Sequence, residues 1–225
     1  MSFSNIHLSC WSLSVLLTLS GLFSAGSLAD GSLPPEVSEL RAAWDEANFV
    51  SQGDTQKQAI LELVEQCDPL LEKLAANQAA LTWCGIVKSS YAGHAGALSA
   101  MKYAKAARAD LEAALKLEKS EMTGIASTSL GTLYFKVPGW PIGFGNDDKA
   151  RELLEAGLTA NPDDVDANFF MADFLNEEGE LEAAHSYLKL AAAAPAWSDR
   201  ETAYRGRQAE IAAMLETIEK KLAKR

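Results

Sequence analysis

Histidine and cysteine are scarce in this chain, three of each in 225 residues, and that scarcity removes several chemistries at once. His94 and His185 stand far apart, with no cysteine or carboxylate at metal-ligand spacing, so no metal centre is expected. A G-x-S-x-G elbow, a Walker loop and an H-E-x-x-H helix are all missing. The paired carboxylates Asp147-Asp148 and Asp163-Asp164 fall where helices should start, so they read as caps accepting from free amides rather than as an acid and a base. "GFGND" at 143–147 has too few glycines and too many acidic neighbours to cradle a phosphate. No catalytic residue, no cofactor and no enzyme activity are expected. Cations are in deficit as well, 20 Lys+Arg against 31 Asp+Glu for a net charge of −11. Such a body repels phosphate backbones, which sets nucleic acid aside as a partner. The closing "KKLAKR" reads as cations favoured at a helix C-terminus.

The segment 1–29 lacks charged side chains of either sign. Its apolar run, 11–23, is short of the roughly 20 apolar residues a membrane span needs. "AGSLAD" follows it, with Ser27 and Ala29 as small residues before a cut at Asp30, the pattern of a secretory signal peptide over 1–29. An uncleaved anchor is the alternative reading. Cys10 precedes the apolar run, so it does not read as a lipobox cysteine. Export predicts a periplasmic protein whose Cys67 and Cys84 meet an oxidising compartment. A turn near "AANQA", at 75–79, is centred between those cysteines and would bring both sulfurs to one level of a helical hairpin. A disulfide and two buried thiols are both open. The weak point of that pairing is Asp68-Pro69, which could end or kink the first of these helices and draw Cys67 away.

What the chain does have is a period. With 48% hydrophobic residues it can build one sizeable domain or an array of small repeats, here over 30–225. In "ARADLEAAL" from Ala107, "ARELLEAGL" from Ala150 and "AHSYLKLAA" from Ala184, a small residue is followed by a leucine four places on (Leu111, Leu154, Leu188) and by a second small residue after seven (Ala114, Gly157, Ala191). Those positions share one helical face. The step from Ala150 to Ala184 (184 − 150) equals the period of the tetratricopeptide repeat (TPR). Upstream, Leu130, Gly131 and Tyr134 fit that repeat's L-G-x2-Y pattern, with Met171, Ala172 and Leu175 as equivalents in the next unit and Pro162 and Pro195 near the unit ends. The step from Leu130 to Met171 is longer than that period, so the earlier unit carries an insertion between its helices, placed at 135–145 in "FKVPGWPIGFG".

The chain therefore resembles a TPR protein and, more narrowly, the exported bacterial proteins that include the T component associated with TRAP transporters. The stretch 130–184 carries the likeness, with its Pro-Gly-Trp-Pro loop and Asn168, and 123–196 is covered well. The N-terminal half reads as degraded repeats, with apolar residues at three- and four-residue spacing. The expectation is all-α: about nine helices in antiparallel pairs, a right-handed superhelix with a concave groove, and a capping helix within 197–225 that closes an open stack. The resemblance implies a protein-interaction module of the cell envelope, an accessory of TRAP-type transport, with a solute-binding receptor as a candidate partner.

Repeat arrays of this kind bind through the groove lined by the first helix of each pair. Ile125, Thr128, Thr132 and Phe135, then Asp166, Phe169, Asp173 and Asn176, would face it, and Asn168 joins them through the resemblance. That surface could take an extended peptide or, as the second reading, a small organic ligand enclosed by the loop. Packing of Phe135 and Phe169 against the next pair is the structural alternative. In the loop, Trp140, Ile142 and Phe144 could plug the groove end, form a pocket lip or touch a second copy of the chain, while Gly139, Gly143 and Gly145 serve the turns. Truncating Trp140 is expected to cost stability, and truncating Phe169 to cost binding.

Overall fold

The computed structural model describes residues 33–224, which are helical with connecting turns. Among them nine helices follow in order: α1 Pro35–Phe49, α2 Gly53–Lys73, α3 Gln78–His94, α4 Ala97–Leu115, α5 Met122–Lys136, α6 Asp147–Ala160, α7 Val165–Glu177, α8 Leu181–Ala193 and α9 Glu201–Leu222. The signal-peptide reading of 1–29 and Cys10 lie outside the described residues. No helix of the described residues is long and apolar enough to cross a membrane.

Helix starts follow the acidic and amide residues. Asn146 Oδ1 accepts from Lys149 N at 2.7 Å, which puts Asp147 and Asp148 in the first turn of α6. Asp164 Oδ1 accepts from Ala167 N at 2.8 Å and opens α7, and Asn77 Oδ1 caps α3 through Ala80 N at 2.9 Å. Burial and the neighbouring Asp166 carboxylate push Asp164 above the ordinary carboxylate range. Gly179 takes φ +79° between α7 and α8, a conformation that costs glycine little.

The architecture is the TPR-like array of antiparallel pairs, α3/α4, α5/α6 and α7/α8, with each pair also touching its neighbours. The three aligned segments supply its seams. Ala107, Leu111, Ala114, Ala150, Leu154, Ala184, Leu188 and Ala191 are each 0% exposed. Glycines on the partner helices receive those leucines: a Cβ on Gly131 would lie 2.9 Å from Leu154 Cγ, and one on Gly85 would lie 2.6 Å from Leu111 Cγ. The same contact recurs between α3 and α4, the pair that carries the Ala107 segment. Gly157 admits Thr128, whose Oγ1 is 2.2 Å from where a Cβ would stand. Thr128 thus faces its own partner helix rather than the groove. At about 1.5–3 kcal/mol per buried large aliphatic side chain, the seams are a main source of stability.

The break considered at Pro69 does not occur. Helix α2 runs through Pro69 to Lys73 without ending, and Cys67 stays fully buried opposite Cys84. The turn does fall at 74–77, so both sulfurs share one level, but they stand as free thiols, with Cys84 Sγ 3.8 Å from the Cys67 carbonyl oxygen. The hydrogen bond with Cys67 and burial push the Cys84 thiol far above its ordinary range. The last helix caps the array as expected: α9 packs on α8 and α7, and it also reaches α1. Gly206 makes this approach feasible, because a Cβ there would sit 2.3 Å from the Phe49 ring.

Candidate functional site

Arginines carry the closure. Arg200 donates from Nε and Nη2 to the two carboxylate oxygens of Asp45, at 2.9 and 2.6 Å, and its guanidinium lies 4.5 Å from the Trp197 ring and 5.1 Å from the Trp83 ring. Arg207 donates to Asp166 Oδ1 at 2.7 Å and also pairs with Glu210, while its guanidinium lies 4.4 Å from the Phe169 ring and 4.8 Å from the Phe170 ring. Arg41 reaches Asp199 at 2.5 Å. Planar cations between carboxylates and aromatic faces are well matched, and they draw α9 across residues expected to line an open groove.

The predicted groove residues are therefore engaged within the chain. Phe169 is 6% exposed, against Phe170 and beneath Arg207. Phe135 belongs to the last turn of α5 rather than to the loop and lies edge-on to Phe174 at 5.5 Å. Asp173 accepts from Lys136 Nζ at 2.9 Å, a lysine that also pairs with Glu177. Burial opposes the charge on Lys136, but its two carboxylate partners more than offset this and raise it above the usual lysine range. Asn176 Oδ1 accepts from Lys221 Nζ at 2.8 Å, a further tie from α7 to α9. Ile125 and Thr132 are half-buried, and Thr132 Oγ1 donates to the Thr128 carbonyl at 2.8 Å.

Asn168 is 1% exposed. Its Nδ2 donates to the carbonyls of Pro162 and Asp164 at 2.8 and 2.9 Å, and its Oδ1 is buried without a donor. Asn168 also walls a cleft of about 140 Å³ with Pro162, Leu190, Ala193, Ala194 and Pro195. That is well below the roughly 300–1,000 Å³ of small-molecule sites, and is room for about one side chain.

The loop answers differently from the groove. It occupies 137–146, and Trp140 and Ile142 are 90% and 74% exposed, so the expectation that Trp140 is buried as a plug is overturned. Phe144 takes the anchoring part, edge-on to Tyr134 at 5.6 Å and under the Arg108 guanidinium at 4.4 Å. The reason lies in the backbone. Gly145 N donates to the Pro138 carbonyl at 3.0 Å, Asn146 N to Tyr134 O at 3.0 Å, and Ile142 N and Gly143 N to Gly139 O at 3.2 and 3.1 Å. Gly145 and Gly143 have no room for a side chain: a Cβ would lie 1.9 Å from Val137 O and 2.4 Å from Pro138 O respectively. This pinched neck turns Phe144 inward and the Trp-Pro-Ile tip outward.

The sequence pattern of the tetratricopeptide repeat family matches residues 143–200. That span takes in the foot of the loop, α6, α7 and α8, so the chain contains a TPR unit where the matching faces at Ala150 and Ala184 lie. No curated protein matches the chain. Among the described residues, no group of three His, Cys, Asp or Glu side chains could hold a metal ion.

Proposed function

We propose that this protein is an exported TPR-type interaction module that docks a protein partner through the 137–146 loop. One observation carries the reading: a hydrogen-bonded, glycine-pinched neck holds a tryptophan at 90% exposure beside an isoleucine at 74%. An exposed aromatic at a fixed position loses little conformational freedom on binding, and tryptophan is among the side chains enriched at interface hot spots. The TPR match to 143–200 supports a protein partner over a catalytic role. The narrower assignment, an accessory of TRAP-type envelope transport with a solute-binding receptor as partner, rests on the Pro-Gly-Trp-Pro loop and Asn168 of the sequence. Export rests on the charge-free segment 1–29.

The test places a photo-crosslinking amino acid at position 140 in cells, with position 50, also an exposed apolar residue, as control. A discrete protein adduct from 140 that is missing from 50 is the expected result. The absence of any adduct from 140 overturns loop docking. Intact mass of the isolated protein should show loss of 1–29, and a retained leader overturns export by signal cleavage.

A further inference from the structure

The junction of the first and last helices is built differently from the seams inside the array. The apolar cores draw their buried residues from α1–α3, α4–α6 and α6–α9, and side chains are shared between neighbouring cores: Tyr103 of α4 packs on the first, Leu81 and Ala92 of α3 on the second, and Tyr134 of α5 on the second and third. Among the described residues no such core joins α1 to α9. Arginines stand there instead. The Arg200 guanidinium lies 5.1 Å from Trp83 of the first core and 4.5 Å from Trp197, which packs on the last. Arg207 likewise lies 5.4 Å from Phe49, which packs on the first core, and 4.4 Å from Phe169 of the last. Asp45 with Arg200 and Arg41 with Asp199 are the ion pairs of this junction.

Two features weaken this seam relative to the others. Parting an apolar seam exposes hydrocarbon to water, whereas guanidinium and carboxylate groups regain hydration as they separate, so an ion-paired junction is commonly weaker than an apolar one of like size. Closure also leaves donors unused, since Arg41 Nε and Trp83 Nε1 are buried without an acceptor and both residues belong to the junction. Water supplies those hydrogen bonds once the seam opens. In a repeat array each unit is held by its neighbours, so the two ends can separate with every repeat still folded.

We propose that the α1/α9 seam is a gate: it parts as a unit below global unfolding and bares Asp45, Phe49 and Trp83, which the closed form keeps for its own arginines. Helix α9 stays on α7 and α8 as this happens, because Ile211 and Ile218 belong to the last apolar core and Arg207 remains paired with Asp166. The gate is independent of the docking loop, which joins α5 to α6.

Thiol reactivity of the purified protein tests it. Ala203, 0% exposed, shares a face of α9 with Gly206 and Arg207, three and four places on, so Ala203→Cys puts a reporter in the seam. Cys67 and Cys84 of the same chain report opening of the first core, and Ala184→Cys reports the α7/α8 seam. With labelled sites assigned by peptide mass, position 203 should react with a maleimide at least about a hundredfold faster than 67, 84 or 184. Its rate should be nearly flat in low urea, because the parting exposes little surface, while the core thiols speed up steeply. Asp45→Asn should accelerate position 203 about tenfold or more and leave its urea slope unchanged. Unchanged circular dichroism melting will show that the cysteine variants fold. Position 203 reacting at the rate and with the urea slope of 67 and 84, equal rates at 203 and 184, or no acceleration by Asp45→Asn overturns the gate.

Discussion

Arg200 grips Asp45 with two hydrogen bonds across a sequence separation of 155, and this pair ties the segment entering α9 to α1. Both side chains are about nine-tenths buried, at 10% and 9% exposure. A paired, desolvated charge contributes little against an apolar substitute, but removing one partner leaves the other charge uncompensated. Asp45→Ala should therefore cost about 3–5 kcal/mol in denaturant unfolding. The double variant Asp45→Leu/Arg200→Met should recover much of that loss. If Asp45→Ala unfolds like the parent, the closure of α9 onto α1 does not hold in solution.

Loop and groove residues should respond in opposite ways. Phe169→Ala removes a ring packed against Phe170 and Arg207 and should cost about 3–5 kcal/mol, with a clear fall in melting temperature. Trp140→Ala and Ile142→Ala remove exposed groups and should stay within about 0.5 kcal/mol of the parent. Half-buried Phe144 lies between them, at about 2 kcal/mol for Phe144→Ala. A melting loss at Trp140 without one at Phe169 would reverse the assignment of both surfaces.

The repeat was legible because its signal is periodic and concerns burial, the property that periodicity reports. Small-x3-Leu-x2-small recurs at Ala107, Ala150 and Ala184, and the faces it marks became the seams between helices. At α6 the cap is Asn146, one residue ahead of the Asp147-Asp148 pair expected there, but the cap at Asp164 was legible for an equally local reason, since a cap and its amide are three positions apart. Trp140 was not. Hydrophobicity says that a ring gains from burial but not which way a loop aims it, and the direction here comes from backbone contacts at Gly143 and Gly145. The intrachain partners of the groove residues were hidden on a different scale. Arg207 belongs to the last helix and Arg200 to the segment entering it, and a pairing of Arg200 with Asp45 leaves no periodic trace in sequence.

Loop rigidity has its own test at the neck. Gly145→Ala would put a methyl group 1.9 Å from the Val137 carbonyl oxygen, a backbone atom that no rotamer change can move aside. The neck must open, with loss of the Gly145 to Pro138 hydrogen bond. The expected result is a stability loss of about 1–3 kcal/mol and weaker crosslinking from position 140, although no tip residue has changed. Gly93→Ala, with nothing within 4 Å of the added Cβ and a helical backbone, is the control and should be neutral or slightly stabilising. Unchanged crosslinking in Gly145→Ala would mean that the neck does not set the direction of the tip.

The Cys67 and Cys84 pair gives the pH prediction. Its hydrogen bond with Cys67, together with burial, keeps the Cys84 thiol neutral in the folded chain, whereas an unfolded cysteine ionises near about 8.5. A folded-state pKa raised above the unfolded one gives stability that is whole below the unfolded pKa and lost as pH rises beyond it, since the unfolded chain then releases the proton first. Above about pH 8.5 the loss should approach about 1.4 kcal/mol per pH unit, or about 2 kcal/mol by about pH 10. Lys88 loses stability in the same direction but later, because Asp110 and Asp68 more than offset its burial and hold it above the usual lysine range. Melting should therefore be flat from about pH 7 to 8 and fall between about 8.5 and 10, with a shallower fall in Cys84→Ala. Thiol titration at about pH 8 separates the two forms of the pair. Neither buried thiol should react in the folded protein and both should react in denaturant; two thiols that stay silent in denaturant until a reductant is added would show that Cys67 and Cys84 form a disulfide, and the alkaline fall in stability would then vanish with them.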